Sequence, residues 1–160
     1  MTEVENKKEK GDKLLDILIV EDSDADVKIA LRAFERAKLK HRMHVASDGQ
    51  EALDFIRHEG KYKDKKKMPV PDLILLDIKL PKVDGFGVLK ELKADLQYCH
   101  IPIVMLTSSR DEEDILKSYK SGASSFIPKP VKYEDFVKVV EIINTYWNTI
   151  SKLPNTNLWK

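Results

Sequence analysis

The 160-residue chain has a single cysteine, Cys99. No internal disulfide can form, so packing alone must hold the fold, as suits a reducing cytoplasm. No apolar stretch approaches the roughly 18–20 residues of a membrane span. The N-terminus is charged and has no apolar h-region, which excludes a secretory signal. Neither sign of charge dominates: 28 Lys and Arg face 27 Asp and Glu, for a net charge of +1. Bulk charge therefore argues for neither nucleic acid nor membrane as a partner. The four histidines, His41, His44, His58 and His100, are scattered without metal-ligand spacing. The sequence shows no internal repeat and no second domain.

What is present is an alternation of short apolar runs with helical patterns. Residues 1–13 are polar and mixed in charge, and read as a disordered tail. Asp16 to Asp22 is a first strand, four apolar residues ending in Glu21 and Asp22. Ser23 or Asp24 then caps a helix with Val27, Ala30, Leu31 and Phe34 on one face, to about Lys38. His41 to Ala46 reads as a second strand. Asp48-Gly49 turns the chain into a helix ending at Gly60. Residues 61–71 form a basic loop, expected to be solvated.

Leu73 to Pro81 is nearly continuous apolar sequence carrying one carboxylate, Asp77. Such a run fits a strand buried on both faces, with Asp77 at its carboxyl end. Phe86, Val88, Leu89 and Leu92 mark a third helix. Ile101 to Thr107 is a fourth strand. A polar helix follows and stops at Gly122. Ser124 to Ile127 is a fifth strand, and Asp135 to about Ile150 the last helix. Five strand–helix alternations imply an α/β fold, a doubly wound parallel sheet with right-handed crossovers. The core domain is expected over 14–150, with 151–160 as a C-terminal tail that Leu158 and Trp159 could fold back.

In strand order 2-1-3-4-5 the polar ends of strands one, three and four converge: Glu21 and Asp22, Asp77, and Thr107. The loop after strand five adds Lys129. Three clustered carboxylates raise one another's pKa values unless a cation joins them, and an all-oxygen set suits Mg²⁺. Thr107 and Lys129 offer a hydroxyl and an ammonium to a phosphoryl oxygen. This is chemistry for phosphoryl transfer to a carboxylate.

Together with Leu80-Pro81, Asp84-Gly85 and Ser108 beside Thr107, these residues resemble a response-regulator receiver domain of two-component signalling, over about residues 15–150. The resemblance implies the flavodoxin-like (βα)5 fold. It implies that Asp77 accepts phosphate from a histidine kinase and that Glu21, Asp22, Asp77 and the Lys79 backbone carbonyl bind Mg²⁺, for which Mn²⁺ can substitute. It also implies that Thr107 is the switch hydroxyl, Phe126 the switch aromatic, and Lys129-Pro130 a cis peptide. A narrower resemblance, carried by the 61–71 loop, the 101–109 segment and the tail from Tyr146-Trp147 to Leu153-Pro154, is to stand-alone regulators paired with bacterial phytochromes. With no output domain, such a protein would act by docking, or by passing phosphate to a histidine phosphotransfer protein. The resemblance implies a switch and not an enzyme acting on other substrates. A haloacid-dehalogenase-like phosphatase needs a second acid two residues after its nucleophile, where this chain has Lys79. A degenerate receiver would lack an acid, the threonine or the lysine, and none is missing.

The last helix carries more apolar surface than one sheet face requires. At about 100° per residue, Phe136, Val139, Val140, Ile143, Trp147 and Ile150 form the stripe expected to face the sheet. Ile142, Tyr146 and Leu153 form a second stripe, expected at a homodimer or partner face.

Overall fold

The computed structural model describes residues 14–38, 41–64 and 68–154. The expected tail at 1–13, the lysines at 65–67, and Leu158 and Trp159 lie outside them. A five-stranded parallel sheet has the order β2-β1-β3-β4-β5, as expected. The strands are β1 (Leu15–Val20), β2 (His41–Ala46), β3 (Leu73–Leu76), β4 (Ile103–Thr107) and β5 (Ser125–Pro128). The helices are α1 (Asp24–Arg36), α2 (Gly49–Arg57), α3 (Gly85–Ala94), α4 (Glu112–Lys120) and α5 (Tyr133–Asn144).

Alternation along the strands divides the core in two. Leu18, Val20, Ile74, Leu76, Ile103 and Met105 face α2 and α3, meeting Leu53, Ile56, Val88 and Leu89. Ile17, Ile19, Leu73, Leu75, Val104 and Leu106 face α1 and α5, meeting Phe34, Phe136 and Val140. Burial of both faces explains the unbroken apolar run at β3. Three helices begin on side-chain caps: Ser23 accepts from Asp26 N, Asp48 from Glu51 N and Asp84 from Gly87 N. Such caps fix where each helix leaves the strand ends. β1 also carries a buried acid, Asp16. Its carboxylate accepts from Arg42 Nε and Nη2 at 2.9 and 3.0 Å and lies 3.1 Å from His44 Nε2.

Several boundaries differ from the sequence reading. α2 ends with His58, not Gly60, in the left-handed region (φ 56°), and a 3₁₀ turn, Gly60–Tyr62, follows. The basic loop is tied at both described ends. Tyr62 Oη donates to Glu51 Oε1 at 2.6 Å, and His58 Nε2 lies 2.6 Å from the Met68 carbonyl oxygen.

The last helix is the larger correction. Its buried side chains are Phe136, Val137, Val140 and Ile143. Val137 joins the expected stripe, and Val139 and Trp147 pack against the same core half-buried, because α5 turns toward α1 as well as the sheet. From Thr145 to Ile150 the helix widens into a π turn. The 100° step fails there, and Ile150 is 68% exposed. Leu153 leaves the second stripe altogether. It packs on the α1–α5 side of the core and lines a crevice with Pro71, His100 and Pro102. Ile142 and Tyr146 remain exposed, at 67% and 49%.

Candidate functional site

The site is built where β1, β3 and β4 end. The apolar runs of β1 and β3 deliver Glu21 and Asp77 into buried positions, while Asp22 is exposed. Backbone bonds fix their level: Asp77 N donates to Val20 O at 3.1 Å, and Glu21 N to Ala46 O at 3.0 Å. Carboxylate oxygens of Glu21, Asp22 and Asp77 all lie within 4.8 Å of one another. Among the described residues this is the one acid, histidine or cysteine cluster with metal-binding spacing.

Lys129 reaches the cluster from the loop after β5. Its backbone N donates to Thr107 O at 2.7 Å, which extends the β4–β5 pairing past Pro128. Its Nζ bonds Glu21 Oε2, and lies 3.2 Å from both Asp77 Oδ2 and Asp26 Oδ2. The Lys129–Pro130 peptide is trans, contrary to the expected cis bond, and no described peptide is cis. The strand-like backbone bond at Lys129 N already aims the side chain into the cluster, and trans is the preferred form of an X-Pro bond.

Burial pushes the Asp77 carboxyl upward. The Thr107 hydroxyl, the Lys129 charge, a hydrogen bond from Glu21 and the Ile78 N–H outweigh it, so Asp77 lies below its ordinary value. The Ile78 bond is 2.7 Å long, to Oδ1. Burial dominates at Glu21 and raises it to about 7 despite Lys129 and the Ser23 N–H. Burial works against the Lys129 ammonium, but Glu21, Asp77 and Asp26 hold it above the ordinary lysine value.

The structure brings together Glu21, Asp22, Asp77, Thr107 and Lys129, all named from sequence. Thr107 is almost wholly buried. Phe126 is half-buried on β5 against the α2–α3 side of the core, and its N–H donates to Tyr119 Oη at 3.2 Å. The Lys79 side chain is exposed beside the acids. Ile142, Tyr146 and Leu153 are remote from this site. Sequence reading missed Asp26. Its signal was position: four residues after Asp22, in the first turn of the helix that leaves this strand end.

The donor set fits a hard divalent cation: three carboxylates, no soft ligand, and excess negative charge only partly met by Lys129.

The profile of the response regulator receiver domain matches residues 17–141. A probable methanogenesis regulatory protein, FilR2 of Methanothrix harundinacea, is 39% identical over 132 residues, 82% of each chain. Response regulator Rcp1 of Synechocystis is 36% identical over 138 residues, covering 86% of this chain and 92% of that one. The crystal structure of the Mn²⁺-bound form of Rcp1 aligns with a TM-score of 0.79 at 35% identity, over 88% of this chain and 99% of that one. That of the phosphorylated cyanobacterial phytochrome response regulator RcpA aligns at 0.82 and 35%, over 89% and 100%.

Proposed function

The chain belongs to the response-regulator receiver-domain family, and from that premise we propose that Asp77 accepts a phosphoryl group from a histidine kinase. The observation that carries the reading is Lys129 Nζ at 3.2 Å from a buried Asp77 carboxylate, with buried Thr107 at the end of the neighbouring strand. A positive charge therefore stands beside the acceptor carboxylate before any phosphoryl arrives.

In the transfer, the phosphorus–nitrogen bond of the donor phosphohistidine breaks and a bond forms from phosphorus to an Asp77 carboxylate oxygen. The imidazole leaves neutral after taking up a proton. Glu21, Asp22, Asp77 and the Lys79 carbonyl would hold Mg²⁺ or Mn²⁺, which neutralises charge on the transferring oxygens when bound. Lys129 holds a second phosphoryl oxygen and Thr107 a third. Lys79 leaves no second acid at the place where a haloacid-dehalogenase-like hydrolase carries one, so water is not activated from that side.

The aspartyl phosphate is then read as a change of surface. Thr107 and Phe126 sit on adjacent strands, and the faces of α4, β5 and α5 lie beyond them. Exposed Leu116, Tyr119, Ile142 and Tyr146 make that surface suited to a second copy of the chain or to a histidine phosphotransfer protein. The likeness to RcpA supports a phytochrome-type kinase as donor. The cytoplasm is the compartment of such a kinase domain, and among the described residues no helix is long and apolar enough to cross a membrane.

Acetyl phosphate with Mg²⁺, followed by intact mass, tests the reading. Wild type should gain about 80 Da, and Asp77→Asn should not. An equal gain at an equal rate in Asp77→Asn overturns it.

A further inference from the structure

The Lys129 ammonium has three N–H donors and three carboxylate partners: Glu21, Asp77 and Asp26. Glu21 and Asp77 belong to the acid cluster that suits a divalent cation; Asp26 does not. A cation at the cluster draws on two of these carboxylates and repels the nearby ammonium, while the third carboxylate is open to the ammonium alone. Asp26 is held in place for this. Its own N–H donates to Ser23 Oγ at 3.2 Å in the α1 cap, which fixes the first helical turn against the strand ends. A cleft of about 340 Å³ lies on that side, lined by Glu21, Asp26, Ile29, Lys129 and Val131. The ammonium has room to move toward Asp26 without displacing backbone.

Resting on the phosphoacceptor reading, we propose that Asp26 is a positioning residue for Lys129, receiving its ammonium when a divalent cation takes Glu21 and Asp77. The lysine then stays paired and beside Asp77, ready to turn to an incoming phosphoryl oxygen. Without Asp26 the ammonium has partners only among the cation's own ligands, so it opposes cation binding more strongly. Asp24 provides the control. It carries the same charge in the same first turn and is exposed, but it is not one of the three lysine partners.

Mn²⁺ titration of the full chain at low salt, read as loss of the free-ion electron paramagnetic resonance signal, tests this. Asp26→Asn should weaken Mn²⁺ binding about fourfold, the scale of one partly exposed ion pair. Asp24→Asn should stay within twofold of wild type, and Asp26→Glu should restore most of the affinity. The Mg²⁺ concentration for half-maximal phosphoryl uptake from acetyl phosphate should rise in step, and Asp26→Glu should bring it back. A general structural defect would not be rescued by the glutamate. Asp26→Ser serves as a second neutral variant should the asparagine variant fold poorly. A loss under twofold in the neutral variants, or an equal loss in Asp24→Asn, overturns the proposal. Wild type that binds no Mn²⁺ overturns the phosphoacceptor reading as well, so the two failures are distinguishable.

Discussion

The Gly85 backbone sits against the Asp77 carbonyl so closely that a Cβ at Gly85 would lie 2.1 Å from that oxygen. The same Cβ would lie 2.7 Å from the Ile78 Cα, and Gly85 N donates to Ile78 O at 2.7 Å. The first residue of α3 is thus pressed onto the segment that carries Asp77. Both atoms met are backbone and cannot swing aside.

Gly85→Ala should therefore move the Asp77 segment and destabilise the fold by about 1–3 kcal/mol, the range of overpacking. The rate of phosphoryl uptake from acetyl phosphate should fall with it. Gly87→Ala is the comparison, since its Cβ would first meet a Val83 methyl that can shift. Urea melts of the two variants check the ordering; equal stability would refute the argument.

Much of this was legible in sequence because it depends on period and on strand ends. A strand buried on both faces has to be apolar throughout, so β1, β3 and β4 declared themselves, and with the sheet order came the meeting of Glu21, Asp22, Asp77, Thr107 and Lys129. The C-terminal helix was less legible because its readings assumed an ideal helical step. The π turn at Thr145–Ile150 breaks that step, which turned Ile150 outward and left Leu153 free to pack on the core. Asp26 went unremarked because a first-turn acid is commonplace beside the helix dipole, and only the reach of Lys129 gives it another role. The Tyr62–Glu51 bond pairs a loop residue with a helix residue, which no periodicity encodes.

That bond predicts a pH dependence. Burial pushes Glu51 upward, but Tyr62, the N–H and hydroxyl of Ser47, and Lys61 outweigh it and hold the carboxyl at about 2. The folded value lies below the ordinary 4.5, so the stabilisation is complete above about pH 4.5 and is lost as pH falls from there through about 2. Tyr62→Phe removes one donor to the charged carboxylate and should cost about 2 kcal/mol at pH 7. The gap to wild type should narrow in urea melts at pH 3. A gap that stays constant between the two pH values would contradict it.

Thr107 and Phe126 should be coupled. Met105 pairs with Phe126 and Thr107 with Pro128, so the hydroxyl and the ring ride on adjacent strands. A phosphoryl oxygen at Asp77 competes for the Thr107 hydroxyl, and any shift of Thr107 changes the space beside the half-buried ring. Addition of beryllium trifluoride with Mg²⁺ should move the ring resonances of Phe126 in wild type. In Thr107→Ala the same addition should leave them nearly unmoved, although that variant still gains mass from acetyl phosphate. Identical shifts in both proteins would remove Thr107 from the relay.

Ile142 and Tyr146 lie one turn apart and exposed on the C-terminal helix, and the Tyr146 ring stands edge-on to Trp147 at 4.9 Å. Trp147 packs inward on the core, so Tyr146 is braced from behind and presents a fixed apolar surface. A rigid aromatic loses little side-chain entropy on association and is well suited to the centre of a symmetric contact. Leu153 no longer belongs to that surface, which leaves Ile142 and Tyr146 as its middle. Tyr146→Asp should turn a dimer into a monomer by light scattering while phosphoryl uptake at Asp77 stays within twofold of wild type. Wild type that is monomeric at about 100 µM, with and without beryllium trifluoride, would assign the surface to another protein.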